Sequence, residues 1–147
     1  RLLEALRVEM NAGAAAVGRI EQVRVQLDAL VRTTTDAEVR RAAAALGAKL
    51  VDLEMNLVDL RQTGTGQDGV RFGSKLIAKL GYLGNGLANG DFKPTDQQVE
   101  VQGILKEQMR THLTMIESVL GTDLAALNAM LRAKGVPNVG GGVGVVP

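Results

Sequence analysis

The sequence predicts an all-α protein: an antiparallel four-helix bundle with long first, second and fourth helices, a shorter glycine-rich third helix and a flexible Gly/Val C-terminal tail. Three observations carry this. Apolar residues recur three and four apart in long runs, which is the spacing of one helix face. No run alternates apolar and polar as a half-buried strand does. Start signals of Thr, Asp and Pro, and stop signals of Gly and Pro, separate the periodic segments. Short connections make up-down-up-down the expected path. The alternative is a three-stranded assembly of the first, second and fourth helices with the third laid across it. A chain of 147 residues has the length of one domain, here a single bundle over 1–138 followed by a tail over 139–147.

The first helix is expected from Arg1 to about Arg32, with Leu6, Met10, Val17, Ile20, Leu27 and Val31 along one side. Gly13 and Arg24 occupy two positions of the same seam and weaken it. Thr33-Thr34-Thr35 breaks the pattern. Thr35 with Glu38 reads as a capping box for the second helix, and Asp36 adds negative charge to its first turn. The second seam runs Val39, Ala43, Leu46, Leu50, Leu53, Leu57 and Leu60 in unbroken alternation of four and three, as in a bundle or coiled coil. Gly64 to Gly69 reads as a flexible loop. The third helix is expected from near Phe72 to Ala88, with Leu76, Leu80, Leu83 and Leu87 beside Phe72. Gly73, Gly81, Gly84 and Gly86 make it the least stable helix or a closely packed one, since an interior Gly costs about 0.5–1 kcal/mol relative to Ala. Thr95 and Gln98 form a second capping box after Pro94. The fourth stripe is Val101, Leu105, Met109, Leu113, Ile116 and Leu120, then Leu124, Leu127 and Leu131, with a kink or restart at Gly121-Thr122-Asp123. Gly135 followed by Pro137 is the stop.

Composition narrows the function classes. The chain has one Tyr, two Phe, no Trp and no Cys, and its formal net charge is +1. So few aromatics argue against base stacking on nucleic acid and against a sugar platform or cation cage. Without cysteine there is no disulfide, thiolate zinc site or iron–sulfur cluster. The balanced charge argues against a polyanion partner. No stretch approaches the ~18 apolar residues of a membrane span, and no window resembles a signal peptide.

The candidate sites are thin. Gly64-Thr65-Gly66-Gln67-Asp68-Gly69 matches the GxGxxG spacing, but dinucleotide binding needs those glycines between a strand and a helix. Here a helix precedes them. His112 is the only histidine. The di-iron bundle motif would put Glu three residues before it, where Met109 stands, so His112 reads as a boundary residue. Asp52, Glu54 and Asp59 on the second helix, with Glu100, Glu107 and Glu117 on the fourth, read as solvated faces. Arg40-Arg41 and the set Arg71, Lys75 and Lys79 are the densest basic groups, and they do not make a nucleic-acid stripe. No catalytic, cofactor-binding or metal-binding residues are assigned. Phe72, Tyr82 and Phe92 all fall in or beside the glycine-rich third helix, which makes that region the place to look for contacts beyond the domain.

The stretch from Tyr82 to Val139 carries a turn with Asp91, then Pro94-Thr95, a long helix, Asp123-Leu124, Leu127, Asn128, Leu131 and the end Gly135-Val136-Pro137. In this it resembles the C-terminal helical region of bacterial sortilin-type, BNR-repeat β-propeller proteins, which are often described as glycosyl-hydrolase-like. The resemblance implies an exported multidomain parent, periplasmic or secreted, whose propeller would carry any sugar or peptide binding. No catalytic residue of such a propeller lies in this chain. Arg1 sits inside an apolar-periodic run, so the chain is expected to be a fragment of a longer one. The resulting expectation is a non-catalytic helical interaction or structural domain, whose partner is protein: the rest of a parent chain, or itself. The alternatives are a bundle holding an apolar ligand between helices, with His112 or a carboxylate as polar handle, and a cell-envelope or membrane-surface scaffold.

Overall fold

A computed structural model describes residues 1–64, 66–90 and 93–141. Among these residues the regular structure is helical, with no strand. The helices are α1 (Leu2–Thr33), α2 (Ala37–Leu57), the short α3 (Asp68–Arg71), α4 (Leu76–Ala88), α5 (Asp96–Ser118) and α6 (Leu124–Ala133), with a π-helical turn at Val119–Asp123 between the last two. The four expected helices are therefore present. The third is shorter than expected, because Phe72 is extended and Gly73 and Ser74 are not helical. The chain divides into two compact units, one of residues 1–15 and 54–113, the other of 16–53 and the chain from Thr114 on.

In the first unit, α1 supplies Leu6, Glu9 and Gly13, α4 supplies Leu76 and Leu80, and α5 supplies Gln102, Leu105 and Met109 to the interior. Gly13 is the point of closest approach. A Cβ there would lie 2.7 Å from Met109 Cε and 3.2 Å from Ile77 Cδ1. Met10 Cε stands 3.5 Å from where a Cβ on Gly81 would be. These contacts run α4 against α1, and Glu9–Gln102 together with Gly13–Met109 run α5 in the same direction as α1, the reverse of what the expected up-down-up-down path gives for the third and fourth helices. Gly84 and Gly86 face open space, so close packing does not account for them. The loop after α2 is organised by carboxylates. Asp59 Oδ1 accepts the Arg61 N–H at 3.0 Å, an Asx turn that ends the seam. Leu60, expected as the last seam residue, is instead 38% exposed. The Asp68 Oδ2 accepts the N–H groups of Thr63 and Gly64 at 2.6 and 2.8 Å, and Gly64 takes a φ of +81° there. Thr65 lies outside the described residues, as do Asp91 and Phe92.

In the second unit, Asp36 rather than Thr35 caps α2. Its Oδ1 accepts from the N–H groups of Glu38 and Val39 at 2.9 and 3.1 Å. A carboxylate is the stronger acceptor at the positive end of a helix. Lys134 Nζ bonds Asp36 and Glu38 at 2.9 and 2.8 Å. Lys49 pairs with Asp123 at 2.5 Å, and Arg19 pairs with Glu117. The stripe Ile116, Leu120, Leu124 is spaced four and four, which would drift off the face of a regular α-helix. The wider π-helical turn brings it back, so all three stay buried. Gly135, at φ +68°, ends α6 with Gly135 N–H on Arg132 O at 3.1 Å and Val136 N–H on Leu131 O at 2.8 Å, the Schellman arrangement. Beyond it the chain is held. Asn128 exchanges hydrogen bonds of 2.8 and 3.0 Å with the Val139 backbone. Gln26 does the same with Gly140 at 2.8 and 2.5 Å. Val139 and Gly140, expected to begin a loose tail, are thus tied down because two side-chain amides satisfy their backbone. The rest of the tail lies outside the described residues.

The α2 seam is buried as expected from Val39 through Leu57. In α1, the buried positions are Leu6, Glu9, Gly13, Ala16, Ile20, Val23 and Leu27. Periodicity had assigned Met10, Val17 and Arg24 where Glu9, Ala16 and Val23 stand. In α5 the same slip occurs: Gln102 is buried and Val101 is 38% exposed. The slips at Glu9 and Gln102 are one event, because Glu9 Oε1 accepts from Gln102 Nε2 at 2.9 Å. Two polar residues satisfy each other and take seam positions that hydropathy gave to their apolar neighbours.

Candidate interaction face on α4 and α5

Placing Gln102 inward turns Val101 outward. Around α5, at about 100° per residue, Val101 is followed by Ile104 and then by Glu100 and Glu107. Ile104 is 51% exposed. On α4, Leu80 points into the core, and Leu83, Lys79 and Tyr82 follow one another outward. Tyr82 is 84% exposed. Between the helices lies a groove of about 480 Å³, lined by Ser74, Lys79, Tyr82, Leu83, Val101 and Leu105 and open to solvent. An exposed tyrosine over an aliphatic groove is the combination that protein interfaces favour, since its ring offers contact area and its hydroxyl stays wet. Lys79 lines this groove, and Glu100 is exposed on α5.

Glu9 is one of three buried acids of the unit, with Glu54 and Asp59. Burial pushes its carboxyl above the usual range, while the charge of Lys106 and the hydrogen bond from Gln102 pull it back. Its Oε2 has no hydrogen-bond partner. A raised acid contributes its stability below the unfolded-state value of 4.5 and loses it as pH rises through the folded value. Glu9→Gln keeps an acceptor for Gln102 and removes the charge. Its melting temperature relative to the natural chain is therefore expected to climb as pH rises from about 4.5 to neutrality. A difference that stays flat with pH in thermal melts would contradict this.

The other sequence candidates are scattered. Glu54 is fully buried and Asp59 nearly so, so neither lies on a solvated face. Arg61 grips the Asp59 carboxylate at 2.9 and 2.7 Å and holds it down to about 2. Arg61 also lies over the Phe72 ring, 4.5 Å from its centre. Phe72 and Tyr82 are thus separate features, one under a guanidinium and one in solvent. Asp52 and Glu100 are exposed as expected. Glu107 pairs with Arg110 at 2.5 Å, and Glu117 with Arg19. Arg40 is spent on the end of α1, donating to the carbonyls of Val31 and Thr34 at 3.3 and 2.6 Å. His112 is partly buried on α5, and its Nδ1 has no hydrogen-bond partner. Among the described residues, no three His, Cys, Asp or Glu side chains gather to hold a metal, and no helix is long and apolar enough to cross a membrane.

Sequence reasoning located Tyr82 but put Val101 in the core. The missing signal was the pair Glu9–Gln102, whose partners lie far apart in sequence. No family model, curated protein or solved structure matches the chain.

Proposed function

We propose that this chain is a non-catalytic helical interaction domain and that it docks a protein through the α4/α5 face. The exposure of Tyr82 beside the aliphatic groove carries the reading. A solvent-facing aromatic across a groove from Val101 leaves apolar surface uncovered, and a partner would remove it from water at about 25 cal/mol per Å². The groove suits a protein surface better than an apolar small molecule, which binds where most of its own surface can be enclosed. The resemblance to propeller-protein C-termini fits the same role, in which the domain closes a larger exported chain and mediates its contacts.

A photoreactive benzoylphenylalanine in place of Tyr82 tests this in the protein's own cellular extract. A discrete cross-linked product is expected from position 82 and none from the same residue at the exposed Gln67. Equal labelling from both positions, or no product from position 82, would count against the docking face.

A further inference from the structure

We propose that Asn89–Gly90 is a site of spontaneous deamidation, and that the product loosens the last turn of α4. The chain contains two Asn-Gly pairs, Asn85–Gly86 and Asn89–Gly90. Both asparagines are exposed, so solvent reaches both side chains. Their backbones differ. Deamidation begins when the following backbone nitrogen attacks the asparagine Cγ, and that nitrogen must first leave its hydrogen bond. Gly86 lies inside α4, where its N–H belongs to the helical ladder. Gly90 lies one residue past the C-cap Asn89, and its N–H reaches Leu87 O only at 3.5 Å, beyond the usual hydrogen-bond range. Gly90 also carries no Cβ to hinder the approach.

Water is the only co-reactant. Gly90 N bonds Asn89 Cγ, the Cγ–Nδ2 bond breaks, and ammonia leaves with the proton that Gly90 N gives up. Water then opens the resulting succinimide ring at either carbonyl, leaving aspartate or isoaspartate at 89. The amide that is lost holds the end of α4. Asn85 O accepts both the Asn89 N–H at 3.2 Å and the Asn89 Nδ2 at 3.0 Å. A carboxylate in place of that amide does not donate, and it sets a negative charge at the negative end of the helix. This chemistry is independent of the docking face.

Peptide mapping by mass spectrometry, on the full chain aged at neutral and mildly alkaline pH, tests the site. In the folded chain, conversion at Asn89 is expected to be at least about ten-fold faster than at Asn85, because Asn85–Gly86 reacts only when the helix opens. In urea the two rates are expected to come within about three-fold of each other, since the helix no longer separates them. Equal rates in the folded chain, or faster conversion at Asn85, overturn the site. Asn89→Asp reads the consequence. Hydrogen exchange of the Leu87, Ala88 and Asn89 amides is expected to quicken about two- to five-fold, while the exchange of α1 and α5 stays as it is. Unchanged exchange at the end of α4 overturns the loosening.

Discussion

Leu50→Ala is expected to cost about 3 kcal/mol, within the roughly 2–5 kcal/mol range for emptying a closed leucine site. Leu50 is fully buried at the centre of the α2 seam, with Leu46 and Leu53 on either side of it also inside. The lost methyl groups take their transfer energy with them, and helices already packed on both sides leave little room to collapse into the space. For a chain of this size, that amounts to a fall of about 6–12 °C in melting temperature. Leu60→Ala is the internal comparison. Periodicity alone makes Leu50 and Leu60 equivalent members of one seam, whereas the Asx turn at Asp59 puts Leu60 38% in solvent. Its truncation is expected to stay within about 0.5–1 kcal/mol. Equal losses in urea or thermal unfolding would contradict the early end of the seam.

Gly13→Val is the second large effect, expected at about 1–3 kcal/mol of destabilisation. A Cβ at Gly13 meets Met109 Cε at 2.7 Å and Ile77 at 3.2 Å. The Met109 methyl is the end of a flexible chain and can swing away from a single added carbon. The helix-propensity gain of Gly→Ala, about 0.5–1 kcal/mol, then offsets the rest, so Gly13→Ala is expected near zero. Valine adds two branches that the Ile77 side cannot clear. Gly18 on the same helix has nothing within 4 Å, so Gly18→Ala is expected to stabilise. Met109→Ala in the Gly13→Val background is expected to recover part of the loss, a coupling that a double-mutant cycle reads directly. Strict additivity of the two changes would mean that Met109 does not sit over Gly13.

These two sites also show what the sequence made legible. The α2 seam could be read because its members from Val39 to Leu57 are apolar, buried and three or four apart, whereas the fully buried Glu54 beside Leu53 breaks the polarity pattern and was not legible. The Thr95–Gln98 box and the Gly135 stop were legible because each is local, decided within a few residues. In α1 and α5, Leu6, Ile20, Leu27, Leu105, Met109 and Ile116 are buried as read, but Glu9 and Gln102 were missed because hydropathy cannot credit a glutamate and a glutamine that bond each other across 93 residues of chain. Gly13 looked like a weakness in the α1 seam and is instead the gap that lets Met109 and Ile77 in. The candidate face was half legible. The scarcity of aromatics drew attention to Tyr82, but the outward turn of Val101 follows from the Glu9–Gln102 pair and was not visible in α5 alone. The Asp36 cap was overlooked because Thr35 satisfied the pattern first.

Tyr82 is the one tyrosine in a chain without tryptophan, so tyrosine emission reports on this face and on nothing else in the molecule. Acrylamide quenching of that emission in the isolated chain tests the central claim that the α4/α5 face is open and presents Tyr82 to a partner. Quenching is expected to approach that of a free tyrosine amide, in keeping with 84% exposure. Quenching as weak as that of a buried tyrosine would contradict the account.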